Sequence, residues 1–166
     1  MPNWCLNKLT VEHDDPSMLK RFVDAYNLGK ACDTFIPEPE NLDLNDALDP
    51  NSWYNWRLNN WGTKWDIGAD VGTDREEFHG LKATVVGNQA NCSFDSAWSP
   101  PIGLYEKLDE LGYKIHASYF EPGMAFCGIY TDGYDNCIDY QDKDMIPVGI
   151  WNEYNLSEFF TDEVEA

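Results

Sequence analysis

At 166 residues, with 43% apolar side chains and an aromatic set of Trp 7, Tyr 9 and Phe 8, the chain has the length of one ordinary domain and needs no disulfide scaffold to bury a core. Its 30 acidic against 11 basic residues give a formal net charge of -19. Phosphate binding depends on Lys and Arg displacing counterions, so this balance disfavours nucleic acid, anionic lipid and acidic proteins as partners and favours basic ones, including protein surfaces built to hold DNA or RNA.

The opening Met1-Pro2-Asn3-Trp4-Cys5 lacks the basic and apolar regions of a secretion signal, and no segment approaches the length of a membrane span. Cys5, Cys32, Cys92, Cys127 and Cys137 are odd in number and widely spaced, with neither a CxxC pair nor zinc-knuckle spacing. A reducing cytoplasm is the expected compartment.

Trp4 to Glu12 predicts a strand, with Cys5, Leu9 and Val11 on one side. Asp15 as N-cap and Pro16 at the first position then open a helix whose Met18, Leu19, Phe22, Val23 and Tyr26 recur at helical spacing until Gly29. Residues 35–80 interrupt this regularity with Pro37, Pro39 and Pro50, the acids Glu38, Glu40, Asp43, Asp46 and Asp49, and the tryptophans Trp53, Trp56, Trp61 and Trp65. This stretch is expected to be an insertion with one short helix over 52–60, capped by Asn51.

Leu81 to Val86 and Asn91 to Trp98 predict a hairpin about Gly87-Asn88. Ser99-Pro100-Pro101 begins a second helix, with Ser99 the expected cap and Gly112 the stop. Lys114 to Phe120 and Met124 to Thr131 predict two further strands. From Asp132 to Ala166 the chain carries ten acids and one base, Lys143, with a strand-like Pro147 to Tyr154 and a terminal helix from Leu156. The expected fold class is α+β: a ferredoxin-like split βαβ antiparallel sheet, in the order β-α-β-β-α-β, over residues 1–131, with 35–80 as a Trp-rich insertion and 132–166 as an acidic C-terminal extension packed on or beside it.

Several strings carry a family resemblance: Met1-Pro2-Asn3-Trp4-Cys5 with Asn7, Phe35-Ile36-Pro37, Trp61-Gly62-Thr63-Lys64-Trp65-Asp66, Ala97-Trp98-Ser99-Pro100-Pro101, and Glu121 with Gly123 and Gly128. In this set, spanning residues 1 to about 130, the chain resembles the YubB-type ferredoxin-like proteins of bacteriophages and plasmids. The resemblance implies a mobile-element origin and a ferredoxin-like fold without an iron-sulfur cluster. The family brings no established activity.

Two kinds of site follow from the residues. Trp61, Lys64, Trp65, Asp66, Asp95, Trp98 and Glu121 could line a ligand pocket, and the carboxylates of Asp66, Asp95 and Glu121 could serve a small enzyme or a metal-dependent binder. The plainer reading makes the Trp61–Asp66 string a structural clasp, with its indoles, Trp65 among them, buried on the sheet. His13, His79 and His116 share no metal-ligand spacing, and no nucleophile elbow, calcium loop or phosphate loop is present, so no catalytic residue, metal or cofactor is assigned. The acids offer the second site. Asp132, Asp135, Asp139 and Asp142 would align along one face of a helix, or less regularly along an extended loop, and Glu38, Glu40, Asp43, Asp46 and Asp49 form a second run. The expected function is that of an acidic interaction protein, DNA-mimic-like, occupying a basic nucleic-acid-binding surface of a host defence protein. A structural accessory role is the blander alternative.

Overall fold

The computed structural model describes residues 3–42, 49, 51–69 and 80–164. The first strand, β1 (Trp4–Glu12), alternates without exception: Cys5, Asn7, Leu9 and Val11 are buried and the residues between them are not. Helix α1 (Pro16–Asn27) starts where Asp15 accepts the backbone N–H of Ser17 at 2.9 Å, and it buries Leu19, Phe22, Ala25 and Tyr26. A short helix, α2 (Ala31–Phe35), follows just ahead of the stretch expected to be an insertion. Helix α3 (Trp53–Asn60) is capped by Ser52, whose Oγ accepts from the Asn55 N–H at 3.2 Å, rather than by Asn51.

The hairpin of β2 (Thr84–Val86) and β3 (Gln89–Ala97) turns at Gly87-Asn88 and has a first strand shorter than expected. Helix α4 (Ile102–Glu110) buries Leu104, Tyr105 and Leu108. Strands β4 (Lys114–Glu121), β5 (Phe126–Thr131) and β6 (Tyr134–Asp139) complete a single antiparallel sheet of six strands in the order β2-β3-β1-β4-β5-β6. The molecule is therefore α+β.

One face of the sheet meets α1, α2 and α4 in the larger core, which joins Leu9, Val11, Phe22, Tyr26, Trp61, Phe94, Leu104 and Ile115. On the opposite face, α5 (Val148–Glu153) and α6 (Leu156–Val164) enclose a smaller core of Phe120, Cys127, Ile146, Ile150, Leu156 and Phe160. The Lys8 ammonium donates to the Glu153 carbonyl at 2.6 Å, and the Ser118 hydroxyl to the Glu153 carboxylate at 2.8 Å.

Two segments differ from the sequence reading. Pro147 to Tyr154 forms α5 and not a strand: Pro147 lies just ahead of the helix, and Ile146, Ile150, Trp151 and Tyr154 share its packed side at helical spacing. The segment after Asp132 is the strand β6, neither of the two forms, helix or extended loop, that the sequence left open. Asp132 (φ 53) and Gly133 (φ 82) make a two-residue turn of the primed type, whose twist seats the following residues against β5. Asp135 and Asp139 then share one face of a strand about 13 Å apart, instead of lying one helical turn from each other.

Candidate interaction face

The residues expected to line a pocket spend their polar groups on holding the chain together. The Asp66 carboxylate accepts the N–H groups of Cys32 and Ile67 at 2.7 Å through Oδ1 and of Asp33 at 3.0 Å through Oδ2, so it caps α2 from a distant part of the sequence. Burial pushes its carboxyl above the usual range, against the pull of these bonds. Trp61 is only 2% exposed; its Nε1–H donates to the Ile36 carbonyl at 2.9 Å, and the Arg57 guanidinium lies 4.9 Å over its ring. Thr63 donates to the Ala97 carbonyl at 3.0 Å and the Ser99 hydroxyl to the Gly62 carbonyl, which ties the insertion to the end of β3. Ser99 is thus a strut and not the cap of α4.

Trp65 departs from the expected burial: it is half-exposed, stacked on Trp53 at 5.5 Å, with the Lys64 ammonium 5.0 Å over its ring. Trp98, at a positive φ of 75, is exposed. Asp95 pairs across with Leu6, which pairs with Phe120, so these three point to one face of the sheet while Glu121, the next residue along β4, points to the other. Glu121 is buried and accepts the N–H groups of Gly123 at 2.6 Å and Met124 at 2.7 Å, fixing the β4–β5 turn. Asp66, Asp95 and Glu121 therefore do not converge. Among the described residues no cluster of three or more His, Cys, Asp or Glu could hold a metal.

Thiol chemistry fares no better. Burial raises all five cysteines above the ordinary thiol range, Cys92 to about 12 and Cys127 to about 11. A thiol that stays protonated at neutral pH is a poor nucleophile.

The acids are arranged differently. β6 carries Asp135 and Asp139 on the sheet face that also bears α4, and α4 brings Glu106 and Asp109 to the Asp135 end of it. The Tyr119 hydroxyl donates to Asp135 Oδ1 at 2.5 Å, and the Tyr130 hydroxyl donates to Asp109 Oδ2. Tyr119 reaches across β5 only because residue 128 is glycine: a Cβ there would stand 2.3 Å from the Tyr119 hydroxyl and 2.4 Å from the Asn136 carbonyl oxygen. Burial raises the Tyr130 hydroxyl above the phenol range, and the Asp109 hydrogen bond and the charges of Asp109, Glu106 and Asp135 raise it further. Asp135 and Asp139 likewise add to burial in raising Cys137. Two buried phenols thus organise an open acidic face.

Asp135 and Asp139 came from the sequence reading; Glu106 and Asp109 did not, because an acidic helix surface is ordinarily a solvated one and nothing local marks its neighbour in space. Of the other acids singled out, Asp132 stands exposed in the β5–β6 turn, and Asp142 accepts the Asp144 N–H at 3.0 Å. Glu38 pairs with Arg57, Asp49 accepts the Asn51 N–H at 2.8 Å, and Glu40 is exposed. Asp43 and Asp46 lie outside the described residues, as does His79.

No protein-family model matches the chain, and no curated protein matches it. One solved structure is similar, the protein api92 from Yersinia pseudotuberculosis, assigned to the family model DUF1281, at 19% identity and a TM-score of 0.35. The likeness covers 55% of this chain and 31% of that one, so the match spans about a third of its length. Among the described residues no helix is long and apolar enough to cross a membrane.

Proposed function

We propose that this chain is a non-enzymatic acidic interaction protein that occupies a basic, nucleic-acid-binding surface of a partner protein through the face shared by α4 and β6. The observation that carries this reading is the set Glu106, Asp109, Asp135 and Asp139 on a chain of net charge -19, in which two buried tyrosines hold Asp109 and Asp135 in fixed positions. Carboxylates held in place before binding lose less conformational entropy on binding than freely moving ones, and an acidic field of this size speeds the approach of a basic partner. The engagement of Asp66 and Glu121 with backbone N–H groups gives the enzyme alternative no comparable support.

The fold itself reads as a ferredoxin-like split βαβ unit widened by two strands. The support is the order β2-β3-β1-β4, antiparallel at each step, with α1 and α4 packed in one core. Residues from β6 onward serve as an acidic extension of that unit. With the resemblance to proteins of phages and plasmids, a bacterial defence nuclease in the host cytoplasm is the class of partner this reading favours.

Immobilised protein in bacterial lysate is expected to retain nucleic-acid-binding proteins at low salt and to release them as salt rises. A retained set that lacks such proteins would contradict the proposal.

A further inference from the structure

We infer that β6 is a docking edge: an extended segment of a basic partner adds to it as a seventh strand, with Lys or Arg at alternate positions lying beside Asp135 and Asp139. The inference rests on the acidic-face reading above and adds to it the conformation and residue pattern of what is bound.

β6 ends the sheet, and among the described residues no strand flanks its outer side. Its pairing with β5 is closed by the two-residue turn at Asp132-Gly133, so the alternation of the ladder is determined. Tyr134, Asn136 and Ile138 exchange hydrogen bonds with β5, and the Tyr140 N–H continues the series to the Ala125 carbonyl at 3.0 Å. The N–H and C=O groups of Asp135, Cys137 and Asp139 therefore point outward, a row ready to pair with another chain.

The same three residues set the character of the occupant. Their side chains lie on the face of α4, with Glu106 and Asp109 toward the Asp135 end, so an added strand meets along that face a carboxylate on either side of Cys137. On the other face it meets Tyr134, Asn136 and Ile138, which ask for no charge. The complementary segment alternates basic and uncharged residues. A second copy of this chain fits badly, because antiparallel pairing of β6 with itself sets Asp135 and Asp139 of one copy against those of the other. The opposite edge, β2, has three residues and none of these acids.

Two synthetic peptides test this: four Lys-Val repeats, and four lysines followed by four valines, equal in composition and charge. The alternating peptide is expected to bind the whole protein at least tenfold more tightly in fluorescence anisotropy and to slow amide exchange at Asp135, Cys137 and Asp139. Cys137→Pro removes an outward N–H that β5 does not use, so the fold is expected to survive while the preference for the alternating peptide disappears. Equal binding of both peptides overturns strand addition and leaves the acidic face standing. Absence of binding by either at low salt overturns both. If Cys137→Pro does not fold, exchange at the three amides of the unaltered protein decides: unslowed exchange with the alternating peptide bound contradicts the inference.

Discussion

Truncating Trp61 to alanine is expected to lower the free energy of unfolding by about 3–5 kcal/mol. Its indole is 2% exposed and packs edge-on to Trp56 at 5.6 Å, and its N–H is the donor to the Ile36 carbonyl. The substitution leaves a cavity and an orphaned carbonyl, two separate costs at one site. Trp61→Phe fills most of the space and loses only the hydrogen bond, so its cost is expected to be about 1–3 kcal/mol. Trp65→Ala, which removes a half-exposed ring from Trp53, is expected to cost less than either. Urea unfolding of the three variants checks this order, and a Trp61→Ala protein as stable as its parent would show that the insertion does not belong to the core.

Replacing Glu106 by Gln and Asp109, Asp135 and Asp139 by Asn is expected to slow association with a basic partner roughly tenfold or more and to flatten its dependence on salt, since exposed charges act mainly by steering. The amide oxygens can still accept from Tyr119 and Tyr130, and like-charge repulsion falls, so thermal stability is expected to hold or rise slightly. The same neutralisation at Asp14, Glu40, Asp144 and Glu158 removes equal charge elsewhere and is expected to change the rate less. Stopped-flow association across a salt series separates the two sets. Equal slowing by both would mean that net charge alone, and not this face, does the steering.

Much of this architecture could be read from the chain. The alternation in Trp4–Glu12, the Asp15-Pro16 start of α1 and the Gly87-Asn88 hairpin are local signals, and each lies where it was expected. The misreadings share a physical cause. Pro147 to Tyr154 is a short apolar run, for which strand and helix cannot be told apart by period alone, and its packing against Phe120 and Leu156 decides for helix. Asp132, Asp135, Asp139 and Asp142 suggested a helical row by spacing, but Asp132-Gly133 is also a hairpin-turn dipeptide, and the neighbouring β5 supplied the partner that makes the turn win. The site was half legible. Asp135 and Asp139 stood out as charges, whereas Glu106 and Asp109 join them only through Tyr119, Tyr130 and the opening left by Gly128, a relation between four elements that no window of sequence contains.

The most direct test of the central claim is competition with nucleic acid. A partner recovered from lysate at low salt is bound to the immobilised chain, and its release is followed as duplex DNA is added. The account predicts that DNA and this protein exclude one another, so that release rises with DNA and the four-carboxylate variant is displaced at lower DNA concentration than the parent. A partner that holds the protein and DNA at the same time, with neither affecting the affinity of the other, would contradict it.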